Sequence, residues 1–295
     1  MYDFGTIYEA KGIPDAITAL MADENAVVLC GGSDVLLRVR EGRLAGRNLV
    51  SIRSIDDLSG ILQENNETIQ IRPATTFAQI TQNELVQRCI PTLGEAVDQI
   101  GGPQLRNVAT VGGNLCNGAC SADSPPVLLT LNAELEITGP NGARRLLLED
   151  FFEGPGKVNL EHGELLTAIR VAKKDYEGYF GHYIKFSQRE AMDIATLGCA
   201  VQVKLGAEGK TIEDARLAFA VAAPVPMRCH AAEESIRGQA VGETLYDWFG
   251  RTALTEVRPR TSWRASETFR RQLIYELSGR ALKAAIQKAK GEGSA

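Results

Sequence analysis

Two glycine-rich stretches contain the residues best suited to binding a ligand. The first, CGGSDV at residues 30–35, directly follows the apolar run at residues 26–30. Glycines let consecutive backbone N–H groups converge on an anion without obstruction by a Cβ atom, and Ser33 adds a hydroxyl donor. The stretch therefore suits a phosphate or pyrophosphate. A plain Gly-Gly turn would have the same sequence, so this motif alone leaves both interpretations open.

The second stretch, residues 100–126, combines glycines, prolines, hydroxyls and amides with one arginine and one aspartate. Hydrophobic periodicity disappears over most of it, which predicts a long loop. Long loops inside a compact domain are usually binding loops. We therefore expect this loop to present its backbone to a polar ligand.

Other familiar chemistries lack their motifs. The glycine stretches match neither G-x-G-x-x-G nor G-x-x-x-x-G-K-[ST], and neither G-x-S-x-G nor H-E-x-x-H occurs. An iron–sulfur cluster normally needs four thiolates, and Cys116 and Cys120 have no second cysteine pair at ligand spacing. We expect these two residues to be small buried thiols, with no metal site and no catalytic side chain in the chain.

The composition excludes two further classes. The 295 residues carry a net charge of −5, and lysine and arginine are scattered, which argues against nucleic-acid binding. No apolar run reaches membrane-spanning length, and the first residues lack a secretory leader. We therefore expect a cytoplasmic protein whose six cysteines are reduced.

Helices and strands alternate around these stretches. Apolar spacing predicts helices at residues 15–21 and 77–87, and a C-terminal helix with Ser266 as N-cap and Phe269, Leu273, Leu277, Ala281 and Leu282 along one stripe. Strands are predicted at residues 26–30, 49–52, 68–72, 133–137, 181–186, 197–205 and 217–223. A change of character after Lys173 indicates a separate C-terminal unit.

The run GGPQLRNVATVGGNLCNGACSADSP, with LCGGSDVLL upstream and GPGKVNLEHGELL downstream, closely resembles the FAD-binding subunits of bacterial xanthine dehydrogenases, which belong to the molybdenum hydroxylases. The resemblance extends over essentially the whole chain. It implies an α+β protein with a vanillyl-alcohol-oxidase-type FAD-binding fold. Residues 1–56 and 57–173 would be its two subdomains, and residues 174–295 would form a C-terminal α+β domain like that of the carbon monoxide dehydrogenase flavoprotein.

The same resemblance implies a set of contacts to non-covalent FAD. The first loop, around the pyrophosphate, comprises Val28, Leu29, Cys30, Gly31, Gly32, Ser33, Asp34 and Val35. The second loop comprises Ala109, Thr110, Val111, Gly112, Gly113 and Asn114, and neighbouring segments add Ile100, Asp123, Leu166 and Lys185. Asp123 would lie on the ribityl or ribose side, and Ile100 where some relatives place an aromatic ring against the isoalloxazine. Without the resemblance, the sequence favours a surface lysine for Lys185, a turn or cap residue for Asp123 and a core residue for Leu166.

The resemblance also implies partners. A large subunit would hydroxylate a purine or another heterocycle at a molybdenum cofactor, and a small subunit would pass electrons through two [2Fe-2S] clusters to this FAD. The FAD would reduce NAD, and the complex would be a doubled heterotrimer. Two alternatives stay open: a stand-alone FAD-dependent reductase or oxidase of the same fold, and a non-catalytic anion-binding module.

Overall fold

The first part of the chain forms a small parallel sheet. The computed structural model describes residues 2–292. Its first elements are β1 (Ile7–Glu9), α1 (Ile13–Met21), β2 (Val27–Leu29), α2 (Val35–Arg40) and β3 (Leu49–Ser51). The strand order is β1-β3-β2, with both pairs parallel. The predicted helix and strands at residues 15–52 are confirmed to within about two residues, and the first glycine loop lies between β2 and α2.

A five-stranded antiparallel sheet follows. Along the chain, a series of short helices lies between its second and third strands. The elements are β4 (Ile61–Gln63), β5 (Ile69–Ile71), α3 (Phe77–Gln82), α4 (Glu84–Cys89), α5 (Pro91–Asp98), α6 (Pro103–Arg106), α7 (Val111–Cys116), α8 (Ser124–Thr130), β6 (Glu134–Gly139), β7 (Gly142–Leu147), β8 (Phe152–Gly154), β9 (Lys157–Val158) and β10 (Leu165–Val171). The strand order is β4-β5-β10-β6-β7, and β8 and β9 form a separate hairpin.

Two predictions in this region were wrong. The helix expected over residues 77–87 is interrupted at Asn83, whose side chain accepts hydrogen bonds from the N–H groups of Leu85 and Val86 and so caps a new helix, α4. Residues 100–126 are not one long loop, because they contain α6, α7 and the beginning of α8. These helices have only four to seven residues, too few for apolar periodicity to be recognised.

The last part is a four-stranded antiparallel sheet packed against helices. Its elements are β11 (Phe180–Phe186), β12 (Leu197–Leu205), β13 (Ile212–Ala220), β14 (Met227–Arg228), α9 (His230–Ile236), α10 (Glu243–Glu256) and α11 (Glu267–Ala289), with strands in chain order across the sheet. Ser266 caps α11 as predicted, accepting a hydrogen bond from Phe269 N. Leu273, Leu277, Ala281 and Leu282 are buried, whereas Phe269 is 44% exposed.

The third sheet uses both of its faces. One face packs on α10 and α11 around Phe219 and Phe249, and the other contributes Tyr183, Ala200 and Ala218 to the core of the second part. β11 is thereby held against the segment that leads into α8. The mixture of helices and strands confirms the α+β prediction, and no helix among residues 2–292 is long and apolar enough to cross a membrane.

Candidate functional site

The two glycine stretches face each other across a cleft. It encloses about 270 Å³ and is partly open to solvent, a volume just below the roughly 300–1,000 Å³ of small-molecule sites. The predicted residues that line it are Cys30, Gly31, Gly32, Ser33, Asp34, Val35, Ile100, Ala109, Thr110, Gly113 and Asn114. Most of the predicted set therefore converges on one place, although residues 36–99 separate the two stretches in sequence.

The first loop contacts the second loop through bare backbone at Gly31. A Cβ atom on Gly31 would lie 2.1 Å from the carbonyl oxygen of Val108, so no other residue fits without moving the loops apart. Gly32 adopts φ +78°, a left-handed conformation that glycine tolerates best. These two glycines bring the backbone of the first loop close to the second stretch, an arrangement in which backbone N–H groups can bind an anion.

The second loop is fixed from behind. The N–H of Val111 donates to Thr75 O at 3.1 Å, and the N–H of Gly112 donates to Pro73 O at 2.8 Å. A Cβ atom on Gly112 would lie 2.4 Å from Cβ of Pro73. Val111 and Gly112 are thus buried behind the cleft wall and anchor the loop, and they do not line the cleft.

The remaining predicted residues of the first stretch and of β10 are also set back from the cleft. Val28 and Leu29 belong to β2 and are half-buried, while Val27 of the same strand lines the cleft. Leu166, in β10, packs in the core of the second sheet, as its interpretation from sequence alone expected.

Several lining residues were not predicted. They are Val27, Arg38, Phe77, Leu105, Cys116 and Asn117. The guanidinium of Arg38 donates a hydrogen bond to the side chain of Asn117, which joins α2 to the end of α7. One signal for Arg38 was available, because it lies three residues after Val35 on a helix and therefore on the same face. The apolar members form a wall suited to a planar ring.

Beyond this wall, Asp123 and Lys185 form a buried ion pair. Lys185 Nζ lies 2.9 Å from Asp123 Oδ2 and 2.9 Å from Gln99 O, and the two charged side chains are 5% and 7% exposed. The hydroxyl of Tyr183 donates to Asp123 Oδ1 at 2.6 Å. Because side chains alternate along β11, Tyr183 and Lys185 point to the same face. Tyr183 is the member of this cluster that the sequence analysis missed.

Burial dominates the electrostatics of the cluster. It raises the pKa of Asp123 above its ordinary value, while the Lys185 charge and the hydrogen bonds from Tyr183 and Lys185 act in the opposite direction. Burial raises the pKa of Tyr183 well above its usual range, and the charge of the nearby Asp123 carboxylate is the second largest cause. Tyr183 is thus a neutral donor. The cluster is a matched set in which each oxygen of Asp123 has its own donor.

The cysteines of this region, Cys30, Cys116 and Cys120, are half-buried, and Cys116 and Cys120 are thus less buried than predicted. Burial, with a smaller contribution from Cys30, raises the pKa of Cys116 to about 12. The backbone oxygen of Cys120 accepts a hydrogen bond from Val221 N at 2.9 Å. Among residues 2–292, no group of three or more histidine, cysteine or acidic side chains is arranged to hold a metal ion.

The chain matches two protein families in succession. Residues 2–173 match the family described as FAD binding domain in molybdopterin dehydrogenase, and residues 182–285 match the CO dehydrogenase flavoprotein C-terminal domain. The chain is 39% identical over 292 residues to the xanthine dehydrogenase FAD-binding subunit of Escherichia coli O157:H7, covering 99% of each chain. It is 28% identical over 277 residues to the carbon monoxide dehydrogenase medium chain of Hydrogenophaga pseudoflava, covering 93% of this chain and 94% of that one.

Solved structures agree with these matches. A carbon monoxide dehydrogenase structure from Hydrogenophaga pseudoflava superposes with a TM-score of 0.91 at 28% identity, covering 97% of this chain and 98% of that one. Both the order of the elements and their arrangement are therefore shared over nearly the full length of the chain.

Proposed function

The chain belongs to the FAD-binding subunits of the xanthine dehydrogenase-type molybdenum hydroxylases, and we propose that it takes electrons from the [2Fe-2S] clusters of a partner subunit and passes them through FAD to NAD. A flavin supplies the exchange between one-electron and two-electron chemistry. The chain's own residues bind and orient it. No side chain of the chain has to act as a nucleophile or a metal ligand in this role.

The observation that carries the proposal is the bare backbone of the first loop opposite the second. The N–H groups around Gly31 and Gly32, with the Ser33 hydroxyl, would hold the pyrophosphate, because a Cβ atom at Gly31 has no room and Gly32 adopts φ +78°. Ala109, Thr110, Gly113 and Asn114 would form the opposite wall.

The other proposed contacts differ in how they would act. The apolar side chains of Ile100 and Leu105 would exclude water from one face of the ring system. Lys185 and Asp123 would act from the buried pair toward the ribityl or ribose side. Val111, Gly112 and Leu166 stay in the proposed set as residues that hold the walls in place, since they are themselves buried.

The assembly is part of the proposal. One relative is named a medium chain, and others are named subunits, so they belong to larger complexes. We propose a large subunit with a molybdenum cofactor and a small [2Fe-2S] subunit, in a doubled heterotrimer of the cytoplasm that acts on a purine. Within the chain, we propose that the three sheets mark subdomains at residues 1–56, 57–173 and 174–295.

An anaerobic titration with NADH tests the direction of electron flow. The complex containing this chain is mixed with increasing NADH, and the flavin absorbance is followed. Bleaching of the flavin at stoichiometric NADH, with later bleaching of the iron–sulfur bands, is the expected result. A flavin that stays oxidised under NADH but is reduced through the molybdenum subunit would rule out NAD as the acceptor. NADH turnover by the isolated chain would favour a stand-alone reductase.

A further inference from the structure

Five arginines fall between residues 258 and 271, although basic residues are scattered elsewhere in this acidic chain. Arg258 and Arg260 are exposed, and Arg264 is half-buried. Within residues 2–292 none of these three forms an ion pair with a carboxylate, in contrast to Arg251 and Arg280, which pair with acids on their own helices. The segment therefore carries uncompensated positive charge.

An exposed tryptophan lies among these arginines. Trp263 is 79% exposed, and the guanidinium of Arg264 lies 4.0 Å from the centroid of its ring. Arginine and tryptophan are among the residue types enriched at the centres of protein interfaces. We call Arg258, Arg260, Trp263 and Arg264 the arginine surface.

A buried arginine holds this surface in shape. Arg270 is 2% exposed and donates from Nη2 to Ser262 Oγ at 2.8 Å, from Nε to Thr196 O at 3.3 Å, and to the backbone oxygen of Arg260. It ties the segment to α11 at two points. Arg260 and Arg264 are therefore presented from an ordered backbone, which reduces the entropy lost when a partner binds.

Contacts through the loop at residues 187–195 connect the arginine surface to residues near the cleft. Gln188 Nε2 donates to the backbone oxygen of Arg264 at 3.4 Å, so the segment is joined to the loop at residues 187–195. Met192 of that loop packs on Gly102. Its Cγ atom lies 3.6 Å from the position that a Cβ atom on Gly102 would occupy. Gly102 lies two residues from Ile100, which lines the cleft. Two contacts, from Gln188 to Arg264 and from Met192 to Gly102, thus connect the arginine surface to the proposed flavin site.

We propose that the arginine surface docks an acidic face of the protein partner that delivers electrons to the flavin, an inference that rests on the proposed function above. The net charge of −5 makes the rest of the chain weakly repulsive to an acidic protein. A local positive surface would then fix the orientation of the encounter as well as speed it. The backbone contacts of Arg260 and Arg264 do not depend on their side chains, so both can be changed without loss of the fold.

The test compares two double charge reversals in the full chain. Arg260→Glu with Arg264→Glu alters the surface, and Lys174→Glu with Lys290→Glu makes the same change of charge at exposed lysines elsewhere. Binding of the purified iron–sulfur subunit is measured by titration calorimetry at two salt concentrations, and FAD content is measured separately.

We expect the first variant to bind the iron–sulfur subunit at least tenfold more weakly and with less salt dependence, and the second to bind like the unaltered chain. Equal binding by all three proteins, or equal weakening in both variants, would overturn the docking surface. FAD content reports on the proposed function alone. A chain that holds no FAD would remove that function, whereas retained FAD with unchanged partner binding would remove only this inference.

Discussion

The hydroxyl of Tyr183 donates a hydrogen bond to Asp123 across 2.6 Å, and this contact joins the third sheet to the segment that begins α8. Lys185, two residues further along the same strand, occupies the other oxygen of the carboxylate at 2.9 Å. The strand thus delivers two donors to one buried acid. Removing either donor leaves part of a charge without compensation in a region that water barely reaches.

Lys185→Met should lower the free energy of unfolding by about 3–5 kcal/mol at neutral pH, because it leaves the buried Asp123 carboxylate without its positively charged partner. The loss should shrink as the pH falls. A carboxyl group whose folded pKa is raised is stabilised by protonation, so acid removes the penalty as the pH drops through that raised pKa. Urea unfolding of the flavin-free chain between pH 5 and pH 8 measures this.

Lys174→Met is the matched control, since Lys174 is exposed, and it should be nearly neutral. If Lys185→Met lowers the free energy of unfolding by the same amount at every pH, then lost packing, and not the uncompensated carboxylate, causes the effect.

Tyr183→Phe keeps the ring in the core and removes only the hydroxyl that Asp123 accepts from. Hydrogen bonds to charged groups contribute about 1.5–3 kcal/mol, so a loss of that size is expected. The variant should also raise the pKa of Asp123 further, which carboxyl NMR shifts would detect. Tyr275→Phe, at a half-buried surface position on α11, is a suitable comparison. An unmoved Asp123 pKa would argue against the hydroxyl's role.

Gly31→Ala should reduce FAD affinity by at least about two orders of magnitude. This loss corresponds to about 3 kcal/mol of binding free energy and would result from displacement of the loop. The added Cβ atom meets the carbonyl oxygen of Val108 at 2.1 Å. Gly154→Ala is the control, because its Cβ atom would enter open space. Fluorescence titration of each apoprotein with FAD compares them, and wild-type affinity in Gly31→Ala would mean that the loops do not hold the cofactor.

Gly32→Val should also lose FAD, and here the backbone gives an added reason. A β-branched residue at φ +78° is strained, and its Cβ atom would lie 3.1 Å from the Leu36 side chain. The ratio of the flavin absorbance, at about 450 nm, to the protein absorbance of the purified variant measures how much of it holds FAD. Full occupancy would contradict the placement of this loop at the pyrophosphate.

Replacing both Cys116 and Cys120 with serine should leave the iron content of the assembled complex unchanged. The Cys116 thiol, with a pKa raised to about 12, is protonated at neutral pH and is a poor metal ligand as it stands. Iron analysis per assembled complex is the measurement. A lower iron content per complex in the double variant would mean that these cysteines ligate a cluster.

The sequence predicted local features of the site better than its long-range contacts. The first loop could be recognised because a short apolar run, two glycines and a serine are consecutive, so the strand and the turn that follows it are both encoded there. The pair of Asp123 and Lys185 could not be found from spacing, because 62 residues separate them and only the packing of β11 on the second part brings them together. Resemblance to a family supplied both residues.

Short helices and single side-chain contacts account for the errors in the fold. α6 and α7 have only four and six residues, too few for an apolar pattern to repeat. The break between α3 and α4 depends on one asparagine side chain that caps a helix where the apolar pattern continues. Tyr183 was missed because a tyrosine in a buried strand is ordinarily read as core.

We propose that this chain binds FAD and works within a molybdenum and iron–sulfur complex. The most direct measurement is acid release of the chromophore from the chain purified with its partners, together with iron and molybdenum analysis of each separated subunit. We predict one FAD per copy of this chain and no metal on it, with iron and molybdenum found only in the partner subunits. A colourless chain in an otherwise active, metal-loaded complex would contradict the account.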